Sequence, residues 1–150
     1  MSATHFSGPL LVGTLQTGET NGPNQGSVVL SQSATIVQNG TNAASWTFYI
    51  PVGSRIKELT VDTLTAFDSA TSATLTVGTV AGDDTYASGV DVKTAGRESI
   101  AYTAAQLAAM SGLTTTGASS PTGPRVVFTV TPVGATTAGV VRVSFTYVQQ

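Results

Sequence analysis

Near the C-terminal end of the chain, Val141, Val143, Phe145 and Tyr147 alternate with Val140, Arg142, Ser144 and Thr146. A side-chain period of two belongs to an extended chain with one face buried, whereas the apolar positions of an amphipathic helix recur every three or four residues. The same alternation puts Trp46, Phe48 and Ile50 on one face of a second strand, and Val126, Phe128 and Val130 on one face of a third. Threonine makes up roughly a sixth of the chain and valine about an eighth, and such β-branched residues pack well on a pleated surface but lose rotamer freedom in a helix. Trp46, Phe48, Phe128, Phe145 and Tyr147 are therefore expected to form the main core between two sheets.

Weaker signals fill in the remaining strands. Between Arg55 and Thr65 the apolar residues Ile56, Leu59, Val61 and Leu64 change parity twice, which predicts a bulge or bend. Thr71 to Val80 alternates around Leu75 and Val77, and the small, polar stretch Phe67 to Thr71 before it reads as a hairpin connection. Gly82-Asp83-Asp84 reads as a turn, with a strand from Tyr86 to Val92 after it. Ser27 to Val37 reads as one or two strands, bounded by Asn21-Gly22-Pro23 and Asn39-Gly40.

The single helical candidate runs from Thr103 to Met110, with Thr103 as N-cap and Gly112 as the stop. At about two turns it needs tertiary support, so it is expected in a connection covering one end of the sheets. The run from Thr114 to Gly123 reads as a loop. The fold class expected is all-β: a jelly-roll-like β-sandwich over residues 21–150, with one short helix in a connection and an extended N-terminal arm over residues 1–20.

Charge is scarce. Only 9% of the residues are Asp, Glu, Lys or Arg, the net charge is -2 and mean hydropathy is +0.20. An average domain is about 25% charged, so a lone monomer has too little polar surface and a buried exterior is expected. A symmetric homo-oligomer, trimer preferred, is the usual way to bury such flanks. Thr20 to Ser54 contains no Asp, Glu, Lys, Arg or His, and the six basic residues are scattered, which disfavours nucleic acid. No stretch is long and apolar enough for a membrane span. Met1 to Val12 lacks the basic start and apolar run of a secretory signal, so cytosolic synthesis is expected.

Catalytic and metal chemistry finds little footing. There is no cysteine, and the one histidine, His5, has no acidic neighbour to orient it. Asp83, Asp84 and Asp91 fit no calcium loop spacing and read as turn residues. Asp62 and Asp68 flank an expected strand end where a glycosidase pair is imaginable, but read better as hairpin caps or surface partners of Arg55, Lys57 or Arg97. Asn39-Gly40-Thr41 matches a glycosylation sequon and reads as a turn. No enzyme, cofactor or metal is expected.

A resemblance supplies what composition cannot. Tyr49-Ile50-Pro51-Val52-Gly53-Ser54-Arg55-Ile56, continuing through Leu59-Thr60-Val61-Asp62 to Phe67-Asp68-Ser69-Ala70-Thr71-Ser72-Ala73-Thr74-Leu75, resembles a segment of small tailed-bacteriophage virion proteins. The opening His5-Phe6-Ser7-Gly8-Pro9-Leu10 is similar to starts found on phage head proteins. The resemblance implies a capsid decoration, or cement, protein on the virion surface, made in the host cytoplasm. Its implied partners are the major capsid protein at capsomer junctions and further copies of itself. A head-fibre base, a tail component, and a carbohydrate- or receptor-binding module are the alternatives. The capsid or subunit contacts expected on the arm are His5, Phe6, Pro9, Leu10, Leu11 and Val12: this stretch has no Asp, Glu, Lys or Arg to keep it solvated.

Overall fold

A computed structural model describes residues 28–112 and 124–149. Eight strands and one helix follow in the order β1 (Val28–Val37), β2 (Ala44–Tyr49), β3 (Ser54–Thr65), β4 (Ser72–Gly78), β5 (Ala87–Asp91), β6 (Gly96–Arg97), α1 (Ala104–Ser111), β7 (Arg125–Val133) and β8 (Val140–Gln149). They form two four-stranded sheets, ordered β1-β8-β3-β6 and β2-β7-β4-β5, with every pairing antiparallel. The pairs β1/β8, β2/β7, β3/β6 and β4/β5 nest inside one another, as when one long hairpin is rolled over itself. This is the jelly-roll-like, all-β sandwich expected from the alternation.

The three clearest sequence alternations are β2, β7 and β8. Ile36, Ile56, Leu59, Val61, Val141, Val143, Phe145 and Tyr147 face inward from one sheet, and Phe48, Ala73, Leu75, Val77, Val126, Phe128 and Val130 from the other. Four rings meet across the gap. Phe48 lies 5.8 Å from Phe128 edge-on and 5.2 Å from Phe145, and Phe145 stacks on Tyr147 at 5.5 Å. Edge-to-face and offset contacts of this kind add to the area term that dominates burial.

Trp46 corrects the expected core. It lies opposite Phe128 and so shares its face, yet it is 48% exposed. The reason is position: β2 is an edge strand, so an inward side chain there has a neighbouring strand on one flank only. The first parity change of β3 is a register shift between Ile56 and Glu58; a second shift lies between Thr63 and Thr65, but Leu64 alternates with the buried Leu59, Val61 and Thr63 and is 52% exposed.

The expected β3–β4 hairpin is also corrected, because β3 and β4 belong to different sheets and Phe67 to Thr71 crosses between them. Phe67 is buried, and its ring seats directly on Gly139, where an added Cβ would come within 2.5 Å of ring carbons. Helix α1 has Thr103 as its N-cap, as read from sequence, and Gln106 completes a capping box: Gln106 N donates to Thr103 Oγ1 and Thr103 N to Gln106 Oε1. It covers a flank of the sandwich rather than an end. It packs against β3, sends Met110 into the core, and uses Gln106 Nε2 to donate to the Asp84 carbonyl and Ser88 Oγ beside β5.

Candidate functional site

The carboxylates raised by the sequence each have a structural task. Asp62, on the outer face of β3, receives Arg97 Nε at 2.7 Å from β6 and Arg142 Nη2 at 2.8 Å from β8. Hydrogen bonds from Arg97 and then Arg142 lower its pKa to about 2. Three strands of one sheet are thereby stapled at one carboxylate. Asp68 accepts from Thr137 Oγ1 and from the amides of Thr137 and Ala138, which ties the sheet-crossing segment to the β7–β8 turn and lowers its pKa to about 2. Asp83 accepts from the amides and hydroxyls of Thr79 and Thr85, so it folds the β4–β5 turn on itself. Asp91 accepts from the Lys93 amide.

Asp62 and Asp68 thus sit in separate clusters rather than facing each other as a catalytic pair. Among the described residues no three carboxylate or imidazole side chains converge as a metal site. No described helix is long and apolar enough to cross a membrane.

The feature that stands out is a surface. The charge-free stretch Thr20 to Ser54 contains the whole of β1 and β2, which are the edge strands of their two sheets on the same flank of the sandwich and are joined by the tight turn at Asn39–Asn42. That flank exposes Val29, Leu30 and Val37 from β1, and Trp46 and Tyr49 from β2. Soluble proteins ordinarily guard such edges with lysine, proline or inward-pointing charge. The opposite flank is conventional, with Asp83, Asp84, Asp91, Lys93, Arg97 and Glu98 between β4 and β6. A charge-free apolar edge is the kind of surface that meets another protein surface rather than a charged small molecule.

The expected arm contacts His5, Phe6, Pro9, Leu10, Leu11 and Val12 lie outside the described residues, as does the arm itself and the loop from Thr114 to Gly123. The structure brings forward residues that sequence reasoning placed elsewhere. Alternation alone puts Trp46 in the core, and no local pattern sets Leu30 apart within β1. Their signal was the uncharged stretch itself, which becomes a surface only once β1 and β2 are known to be edges.

No family model and no curated protein sequence matches the chain. Among solved structures, a chain of the cyanophage Pam1 capsid asymmetric unit is similar at 23% identity and a TM-score of 0.55, over 89% of this chain and 95% of that one. The similarity spans nearly the whole of both chains and is one of fold.

Proposed function

We propose that this protein is a structural, non-enzymatic virion component that decorates and stabilises a tailed-phage capsid, binding the major capsid protein at capsomer junctions as a homo-oligomer, preferably a trimer. The observation that carries the reading is the charge-free, apolar flank of β1 and β2 on a chain with little charge anywhere. Such a flank is costly to leave in water and suits a molecule whose sides are covered in an assembly. The fold shared with a chain of a cyanophage capsid, and the resemblance of residues 49–75 to virion proteins, supply the setting. A head-fibre base or tail component is the nearest variant of the same role.

One observation favours a second reading. Trp46 and Tyr49 are both about half exposed, and sugar-binding modules use exposed aromatics. Their parity weighs against it: Trp46 lies on the inward face of β2 and Tyr49 on the outward face, so they do not form one flat platform.

The test is to add full-length protein, and protein lacking residues 1–16, to heads assembled without it. Full-length protein is expected to bind and to raise the heat resistance of the head, with weaker binding and less protection from the truncated form. Absence of binding by the full-length protein sinks the capsid reading, while a change in Trp46 fluorescence on titration with oligosaccharides supports the alternative.

A further inference from the structure

The two flanks of the sandwich are closed differently. On the β5/β6 flank, α1 lies beside the sheet edges and fills the gap with Met110. On the β1/β2 flank, Leu30 and Trp46 carry core parity, since they pair with the buried Tyr147 and Phe128, yet they remain 39% and 48% exposed. Two residues along β1 from Leu30, Gln32 Nε2 donates to the Tyr49 carbonyl and the Tyr147 hydroxyl, a polar rung between the two sheets. The apolar interior therefore reaches the surface beside that rung, between two strand edges whose own residues carry no charge.

We propose that this flank is closed by residues 1–16 of a second copy of the chain, laid along the free edge of β1 and over Leu30 and Trp46. The chemistry matches. Residues 1–16 hold no Asp, Glu, Lys or Arg and carry Phe6, Leu10, Leu11, Val12 and Leu15, so an uncharged apolar segment meets an uncharged apolar edge. The linker is long enough for a donor in another copy. Residues 17–26, Thr-Gly-Glu-Thr-Asn-Gly-Pro-Asn-Gln-Gly, separate that segment from Val28 at the start of β1. A strand that folds back on its own neighbour uses a loop of about two to five residues. A linker of about ten residues instead reaches roughly 33 Å when extended, far enough to pass the segment to an adjoining copy. Each copy then gives one segment and accepts one, and the exchange closes as a ring. The inference rests on the homo-oligomer of the proposed function and not on its attachment to a capsid.

Trp46 is the one tryptophan of the chain and reports directly on this flank. The experiment follows its emission and its quenching by acrylamide as full-length protein is diluted, with sedimentation run in parallel. The same readings are taken on protein lacking residues 1–16. The expected result is a red shift and stronger quenching as the oligomer dissociates, matched by the truncated protein at every concentration, with the far-ultraviolet circular dichroism of the β-domain retained. Identical quenching in full-length oligomer and truncated protein overturns the proposal. So does protection of Trp46 that persists unchanged in full-length monomer, since the chain's own segment then closes the flank. The dilution series needs no variant, so it decides the matter even where truncation impairs folding. Exchange without binding to heads leaves this inference standing and removes only the capsid reading.

Discussion

Two leucines on one strand provide a controlled test of the β3 register. Leu59 and Leu64 are both in β3, but they lie on opposite faces after the shift between Ile56 and Glu58, Leu59 being 4% exposed and Leu64 52% exposed. Full burial of a leucine side chain is worth about 1.5–3 kcal/mol of transfer free energy, so about half of that applies at Leu64. Truncating Leu59 also leaves a cavity, because Val61, Phe145 and their neighbours in the sandwich cannot fully collapse into it. Leu59→Ala is therefore expected to cost about 2–5 kcal/mol. Leu64→Ala leaves no enclosed void and should cost about 1 kcal/mol or less. In a domain of this size each kcal/mol moves the melting temperature by roughly 2–4 °C, which separates the two variants clearly. Urea denaturation followed by circular dichroism gives both free energies, with an unchanged m-value showing that the comparison is of stability alone. Equal costs at the two positions would refute the face assignment of β3 after its first register shift and with it the outward position of Leu64.

The remaining expectations address other parts of the molecule. Phe128→Ala or Phe145→Ala should each cost about 3–5 kcal/mol, and an unchanged melting temperature for either contradicts the aromatic cluster between the sheets. Gly139→Ala should destabilise by roughly 1–3 kcal/mol, since the new methyl group meets the Phe67 ring and both are held in place; a neutral result in thermal melting means the crossing segment sits elsewhere. Asp62 has a folded-state pKa of about 2, below its ordinary value, so its stabilising contribution is present above the unfolded carboxylate range and is lost as pH falls from near 4 towards 2. Asp62→Asn should flatten that part of the acid limb of the stability curve, and an unchanged acid limb rules out the staple. Thr103→Ala should cost about 1 kcal/mol through loss of the N-cap, read from the urea midpoint.

How far residues alone carry such a reading depends on the range of the interaction. Parity and capping are local, so β7, β8, the bulged β3 and the Thr103–Gln106 box of α1 are legible in short windows of sequence. Parity gives the face of a strand, however, and not its place in a sheet. Trp46 shows the difference: its side is as the alternation requires, and only the sheet order reveals that β2 is the edge of its sheet. Pairing partners are similarly hidden. Arg142 is 80 residues from Asp62, and Thr137 is 69 from Asp68, so neither cluster has a short-range signature. The uncharged stretch over β1 and β2 was visible as composition, but its meaning as an open flank required knowing that both strands are edges on one side.

The places of β7 and β8 also bear on how the chain reaches its folded state. They follow all the other strands in sequence, yet each lies inside its sheet, β8 between β1 and β3 and β7 between β2 and β4. A nascent chain that has emerged only as far as α1 has therefore no complete sheet: β1 and β3 lack the strand that joins them, and β2 and β4 lack theirs. Their sticky edges must wait, unpaired, until the final quarter of the chain is released, the situation in which intermediates aggregate and non-local pairing slows folding. A chain that stops short of Arg125 lacks both joining strands, so it is expected to yield two unfinished half-sheets and no stable domain.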